Sequence, residues 1–468
     1  MSLYSITPIT IFSDAVVANL GTSVAVSANG KKAVIGASGI SSVYSSQLSS
    51  GVFGPLQLIV SDVSANQLGY AVAVSSDGSV VLIGEPQAFG TAGACISVIN
   101  GVQSQPFVSN AVNPPNFFGT AVGLSYDGKT AIIGAPGITS QAGAAYIFTR
   151  SDLIWTQQAV LTHTSGFLGD DFGTSVSMSA DGNTVVVGAP SVSSASNAYV
   201  VVFLYSDTTW IEQSPHLISG SDGDNFGYSV SMSADASTIL AGAYLGGGNN
   251  SGIVYVFTNF DGTWPLQKQL QLDPSVQNAY FGFSTSLSCS GNIALIGAPG
   301  YSDLGDGPGA VFFFTRSGAK WSSASDAFPQ MINDTSNNLS GNDAANSTAS
   351  FGGSVSLSAN GIIAVVGDPS YPNASDYGLV AIYQCGYDIP NIPCFQLAGP
   401  PGPQGIQGPT GLQGIQGPMG AQGVQGPIGL SGAAGVNLTA GAYLNQIILF
   451  ALLLYGGFLL MFFTITFC

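Results

Sequence analysis

The stretch FGTSVSMSADGNTVVVGAP, residues 172–190, recurs seven times along this chain, and the repetition limits the available folds more than any other property of the sequence. With the Gly after the opening Phe or Leu as marker, copies begin at Gly21, Gly69, Gly119, Gly173, Gly227, Gly282 and Gly352, spaced 48, 50, 54, 54, 55 and 70 residues apart. In every copy a second Gly follows 15 residues later, at Gly36, Gly84, Gly134, Gly188, Gly242, Gly297 and Gly367. Equal internal spacing at a period near fifty describes one supersecondary unit, which can bury its faces only against its neighbours.

Each unit reads as strands. A two-residue signal lies midway between the markers: Asn29-Gly30, Asp77-Gly78, Asp127-Gly128, Asp181-Gly182, Asp235-Ala236, Ser290-Gly291 and Asn360-Gly361. Asn-Gly and Asp-Gly accept the positive φ of a type I′ turn, so flanking runs such as TSVSMS and NTVVVG should pair antiparallel. The copy with Ala236 in place of Gly is expected to be strained. A third apolar run follows, as in AAYIFTR (144–150), AYVVVFLY (198–205), GIVYVFTN (252–259) and GAVFFFTR (309–316), and then a fourth, opened by Trp155, Trp210 or Trp264. Four antiparallel strands per repeat and seven repeats specify an all-β, seven-bladed propeller. The seventh copy ends with its third strand, GLVAIYQC (378–385), whereas YSITPITIF (4–12) precedes the first copy as WTQQAVL precedes the fourth. The N-terminal strand is therefore expected to complete blade seven.

The pattern FG.SV..S.DG....VGAP followed by G..YVF resembles the FG-GAP repeat of the integrin α-chain propeller, over residues 1 to about 385. The resemblance implies that the aromatic-Gly pair and the Gly-Ala-Pro corner lie in loops where blades meet, with a buried aromatic and close backbone approach. Many members of that family hold calcium in a D-x-D-x-D-G-x-x-D loop between the first two strands. Here a two-residue turn stands in its place, too short for the six to eight oxygens calcium takes. No metal site is carried over. Asp170, Asp171, Asp222 and Asp224, before two of the markers, are weak cation candidates, read with Asp303 and Asp306 as solvated loop carboxylates.

Beyond the repeats the physics changes. From Gly399 to Gly435 thirteen glycines occupy every third position, an unbroken Gly-X-Y run that resembles collagen. Only Gly fits the crowded axis of three polyproline-II chains, so the run implies a homotrimer. Residues 447–467, IILFALLLYGGFLLMFFTITF, carry no charge and are long enough for a membrane-spanning helix. The expected organisation is a propeller over 1–385, a linker over 386–398, a collagen-like triple-helical stalk over 399–437, and a C-terminal hydrophobic transmembrane helix over 443–467. No cleavable secretory signal is expected from the N-terminal residues.

The chemistry-bearing residues are few. With 7 Lys+Arg against 24 Asp+Glu the formal charge is −17, so nucleic acid is excluded as a partner on electrostatic grounds. No nucleophile elbow, phosphate loop or metalloprotease motif is present, and neither catalytic residues nor a cofactor are expected. His163 and His216 read as solvated loop residues. Cys385 and Cys394 could close a small disulfide loop or remain thiols. Asn249, Asn333, Asn338, Asn346, Asn373 and Asn437 head Asn-x-Ser/Thr sequons and are glycan acceptors if the chain meets a glycosylation machinery. A collagen stretch fused to such a head resembles surface proteins of large DNA viruses, with bacterial or spore surface proteins as a second source. The expected role is a non-enzymatic, membrane-anchored trimer on a virion or cell surface, used for adhesion or attachment to a surface protein or glycan, or as an outer structural fibre. The alternative is the propeller module of a phospholipase-like hydrolase. Recognition is expected on the face carrying the Gly-Ala-Pro corners, in loops 164–171, 217–225, 300–308 and 322–350.

Overall fold

The computed structural model describes residues 3–13, 17–62, 67–109, 117–137, 142–166, 168–190, 198–214, 217–218, 223–273, 276–301, 309–322, 330–333, 350–370 and 378–387. The chain divides into two compact units, Met1–Ala398 and Gly399–Cys468. The collagen-like run and the apolar segment 443–467 lie outside the described residues, as does Cys394. Among the described residues no helix is long and apolar enough to cross a membrane.

The first unit is all-β, and its described strands form seven antiparallel sheets, one per repeat. Blade four shows the plan: Ser175–Met178, Thr184–Ala189, Tyr199–Ser206 and Thr209–Glu212 pair in sequence order. Blade seven departs from it. The order there is Leu3–Ser13, Leu379–Tyr387, Ile363–Asp368, Ser354–Leu357, and the N-terminal strand pairs antiparallel with Leu379–Tyr387, for example Ile11 against Ala381. The first and last strands of the ring thus belong to one sheet, and the N-terminal strand covers the edge that Leu379–Tyr387 would otherwise expose.

Second and third strands such as Ile293–Ala298 and Ala310–Ser317 are apolar on both faces, because each sheet is sandwiched between two others. The buried side chains fall into seven clusters, each shared by two neighbouring blades; Leu240 and Val254 of blade five, for instance, pack with Ile296 and Phe312 of blade six. The seam cluster joins Leu20, Val24 and Ile35 of blade one to Val365, Val380 and Ile382 of blade seven, with Ile9 and Phe12 of the N-terminal strand packed against it.

The repeat motif is the joint between blades. Its aromatic or leucine is fully enclosed: Leu20, Leu68, Phe118, Phe172, Phe226, Phe281 and Phe351 are at most 1% exposed. Within a blade the marker Gly donates its N–H to the corner Gly carbonyl, as from Gly173 to Gly188 at 3.0 Å. Between blades the corner Gly lies flat against the marker Gly carbonyl of the next copy, leaving no room for a Cβ. In five of the seven joints that carbonyl also accepts a serine hydroxyl from the previous blade, for example from Ser175 to Gly227 at 2.7 Å, from Ser229 to Gly282 at 2.8 Å, and across the seam from Ser354 to Gly21 at 2.8 Å.

At the opposite ends of these hairpins the turns differ from the expected type I′. That turn needs positive φ at both central residues. Here Gly30, Gly78, Gly128, Gly182, Gly291 and Gly361 have it and the preceding residues do not. The turn is Ser-x-Asx-Gly: Gly78 N–H donates to the Ser75 carbonyl at 3.0 Å, while Asp77 Oδ1 accepts from Ser75 Oγ at 2.7 Å and Ser79 N–H at 2.9 Å. Burial raises the Asp77 carboxyl, but these hydrogen bonds outweigh it and hold the group below the usual range. Ala236 does adopt the strained conformation expected, with φ of 54°. The second residues of the turns then link blade to blade. Ser76 donates to Tyr126, Tyr126 to Ala180, Ala180 to Ala234, Ala234 to Cys289, Cys289 to Ala359 and Ala359 to Ala28, at 2.9 to 3.1 Å. Asn29 N–H to the Ser76 carbonyl at 3.3 Å closes the circle.

Two faces result. One carries the ring of short turns; the other carries the corners and the connections between blades. The strand Leu379–Tyr387 starts on the corner face, where Gly378 bridges Leu20, and runs to the turn face.

Candidate functional site

On the corner face, the residue after each marker Gly starts the innermost strand of its blade. These residues are Thr22, Tyr70, Thr120, Thr174, Tyr228, Phe283 and Gly353, and together they ring the axis. With Asn278, Tyr280, Pro299, Gly300, Ser350 and Pro369 they line a cavity of about 690 Å³. The chain enters this position through a left-handed residue two places before the marker, as at Asn19, Phe117, Asp171 and Asn225, with φ between 55° and 61°. The left-handed residue turns its carbonyl back on the strand. Thr22, Thr120 and Thr174 donate both backbone N–H and Oγ1 to that carbonyl, the hydroxyls at 2.7 to 2.8 Å. Their hydroxyl protons are thus held locally; the oxygen lone pairs of Thr120 and Thr174 remain as acceptors, while Thr22 Oγ1 accepts from the Ser38 hydroxyl at 3.0 Å.

The mouth is chemically lopsided. Blades five and six contribute an aromatic wall in which Tyr228 meets Tyr244 at 4.6 Å and Phe283 at 4.9 Å, and Tyr244 meets Tyr280 at 5.9 Å between ring centroids. Tyr280 itself has a φ of 54°, a costly conformation for a bulky residue. It is held by N–H donation to the Asn250 carbonyl at 3.1 Å, while its own carbonyl accepts from Phe283 N–H at 3.0 Å. Asn250 Nδ2 donates to Asn278 Oδ1 at 3.3 Å, tying the corner loop of blade five to the connection that leads into blade six. Tyr70, on the far side of the ring, is 40% exposed. Burial raises the hydroxyl pKa of Tyr228 well above the usual tyrosine value, with Tyr70 and Tyr244 adding to the effect, and burial alone raises that of Tyr70. Among the described lining residues none is charged.

The residues singled out by sequence lie elsewhere. Asp170 and Asp224 are not solvated: each is at most 3% exposed. Asp170 Oδ2 accepts the Tyr199 hydroxyl at 2.8 Å, and Asp224 Oδ1 accepts Phe226 N–H at 3.0 Å, so both brace the entry to a marker. Asp171 takes the left-handed position before Phe172, and burial followed by the Asp170 charge raises its pKa. Asp222, Asp303 and Asp306 lie outside the described residues. Among the described residues no group of three or more His, Cys, Asp or Glu could hold a metal ion.

His163 also differs from expectation. Its side chain is only 5% exposed, its Nδ1 lies 2.7 Å from Glu212 Oε1, and its ring packs on Tyr199 at 4.7 Å. Thr164 donates its N–H and hydroxyl to Glu212 Oε2, pinning the loop that leads towards Asp170. His216 is outside the described residues. Cys385 is buried in the seam cluster's neighbour, between blades six and seven. Asn249 is exposed in a turn with φ of 50°, and Asn333 ends the strand Gln330–Asn333; Asn338, Asn346, Asn373 and Asn437 fall outside the description. Loops 164–171, 217–225 and 300–308 belong to the corner face in their described parts, and 323–329 and 334–349 are not described.

The mouth itself was missed by sequence reasoning. Its signal is the column after the marker Gly, which reads Thr, Tyr, Thr, Thr, Tyr, Phe, Gly down the copies.

The FG-GAP repeat family matches residues 155–201 and 219–257, and the collagen triple helix repeat matches residues 397–443. The chain carries FG-GAP repeats fused to a collagen triple-helix repeat. The FG-GAP match 155–201 runs from the fourth strand of blade three into the third strand of blade four, the same offset that leaves the N-terminal strand to close the ring. Among solved structures, this chain resembles hydrazine synthase of Kuenenia stuttgartiensis with a TM-score of 0.51 at 14% identity, over 78% of this chain and 95% of that one. It also resembles the Cps50 (Swd1) β-propeller domain of Myceliophteria thermophila with a TM-score of 0.51 at 9% identity, over 77% of this chain and 96% of that one. At such identities the likeness shows the fold alone. No curated protein matches the chain.

Proposed function

We propose that this chain is a non-enzymatic, homotrimeric surface protein that presents FG-GAP propellers on a collagen-like stalk for attachment, with residues 447–467 as its membrane anchor on a virion or cell. The observation that carries the reading is the pairing of a closed propeller with thirteen consecutive Gly-X-Y triplets in one chain. A collagen-like run has no use as a monomer, because its glycines are needed only where three chains meet. A ring of blades tied by seven shared cores is a rigid scaffold, on which corner-face loops and the axial mouth can vary without cost to the fold. The corner face, opposite the end of the strand Leu379–Tyr387, carries the axial mouth and the inter-blade loops on which recognition would fall.

Two measurements test this. Sedimentation equilibrium of the full chain in detergent should give a trimer that weakens when Gly417 is replaced by Ala. A monomer ends the proposal of trimeric presentation. Liposomes bearing the full chain should adhere to a panel of cultured cells, and failure on every cell type removes the attachment role.

A further inference from the structure

The axial mouth has a composition that selects a class of ligand. Its volume of about 690 Å³ suits a small ligand rather than a protein loop. Among the described residues that line it none is charged, and burial keeps the hydroxyls of Tyr70 and Tyr228 protonated. An ion entering it would lose hydration without gaining a counter-charge, so the occupant is neutral. A purely apolar occupant fits no better. It would desolvate Asn278, Ser350 and the threonine oxygens without replacing their hydrogen bonds with water.

What matches both walls is a molecule with one C–H-rich face and a rim of hydroxyls. The rings of Tyr228 and Phe283, 4.9 Å apart and tilted by 46° to each other, offer an apolar aromatic wall on one side. Across the mouth, Thr120 and Thr174 have committed their hydroxyl protons to their own turns and keep acceptor lone pairs, which call for donors on the ligand, while Thr22 Oγ1 already accepts from Ser38. Asn278, its Oδ1 engaged by Asn250, keeps an amide NH₂ as donor.

We propose that the corner-face mouth binds a neutral pyranose, as the end of a glycan, stacked on Tyr228 and Phe283 and hydrogen-bonded from Asn278 and the threonine side. This deepens the attachment reading above and rests on it for its biological meaning, though not for its chemistry.

The test is saturation-transfer NMR on the full chain in detergent with four probes: the methyl glycosides of glucose, galactose, mannose and N-acetylglucosamine, with N-acetylneuraminic acid as the charged control. At least one neutral probe should show transfer, strongest at ring C–H protons. Phe283→Ala should weaken it about tenfold through the lost stack. Tyr70→Ala, at a more exposed position, is the second variant, and it too should weaken binding while the melting midpoint stays within a few degrees of the parent. No transfer to any of the four, transfer only to the acid, or equal transfer in both folded variants would overturn the assignment. Liposome adhesion separates the two readings. Adhesion lost in Phe283→Ala with no sugar bound by the parent overturns the saccharide site and keeps attachment; sugar bound at the mouth with no cell adhesion upholds the site and removes attachment.

Discussion

Replacing Gly188 by Ala is a one-atom test of why the motif pairs its two glycines. A Cβ at Gly188 would stand 2.0 Å from the Gly227 carbonyl oxygen and 2.4 Å from Ser175 Oγ, inside a strand flanked by the fully buried Val187 and Ala189. Neither neighbour can yield cheaply, since one is backbone of the next blade and the other is the hydroxyl bonded to it at 2.7 Å. Moving blade five outward costs about 1–3 kcal/mol as overpacking. Losing the serine hydrogen bond and leaving a buried carbonyl unsatisfied adds about 1–3 kcal/mol. The expected loss is therefore about 2–6 kcal/mol, a large part of the ~5–15 kcal/mol that keeps a protein folded. Gly51→Ala is the control: its φ is 81° but nothing lies within 4 Å of the new Cβ, so only backbone strain of about 1–2 kcal/mol applies. Urea unfolding of the full-length variants, followed by tryptophan fluorescence, reads the difference. If Gly188→Ala unfolds at the same midpoint as Gly51→Ala, the glycines do not act through the blade joint and the reasoning is refuted.

Ala236→Gly, at the one strained turn, should stabilise the head by about 0.5–1 kcal/mol, and an unchanged or lower melting midpoint would show that the left-handed alanine carries no strain there. Deleting residues 3–13 exposes the edge of Leu379–Tyr387 and removes Ile9 and Phe12 from the seam; a lower midpoint with concentration-dependent association is expected, and an unaltered monodisperse head would contradict the closure. Burial raises the Glu212 carboxyl, but its bonds from Thr164 and the nearby His163 outweigh this and hold it below the ordinary glutamate range. The stabilisation is accordingly present above that range and lost as pH falls through the folded-state value. The melting difference between the parent and Glu212→Gln should shrink on acidification, and a difference constant down to about pH 3 would refute the link.

The architecture was legible because a propeller repeats its constraints. Seven hairpins at one spacing disclosed the blades, and the unmatched strand at 4–12 disclosed the seam, since each copy states the same packing problem. The turn type was not read, although Ser27, Ser75, Ser125, Ser179, Ser233, Ser288 and Ser358 stand two residues before every turn signal. A side-chain hydrogen bond to the Asx, not the dipeptide alone, decides the backbone there. His163 and Asp170 looked like loop residues because their partners Glu212 and Tyr199 are 49 and 29 residues away, brought close only by the fold. The mouth stayed hidden for a related reason. Each blade supplies one residue at the position after its marker, so no local stretch carries the aromatic wall or the threonines facing it.

The most direct measurement of the central claim is negative-stain electron microscopy of the full chain in detergent. Particles with three separate ring-shaped heads, each averaging to seven radial lobes about a central depression and joined by a thin stalk, are expected. Particles with a single head, or heads averaging to six or eight lobes, would contradict it.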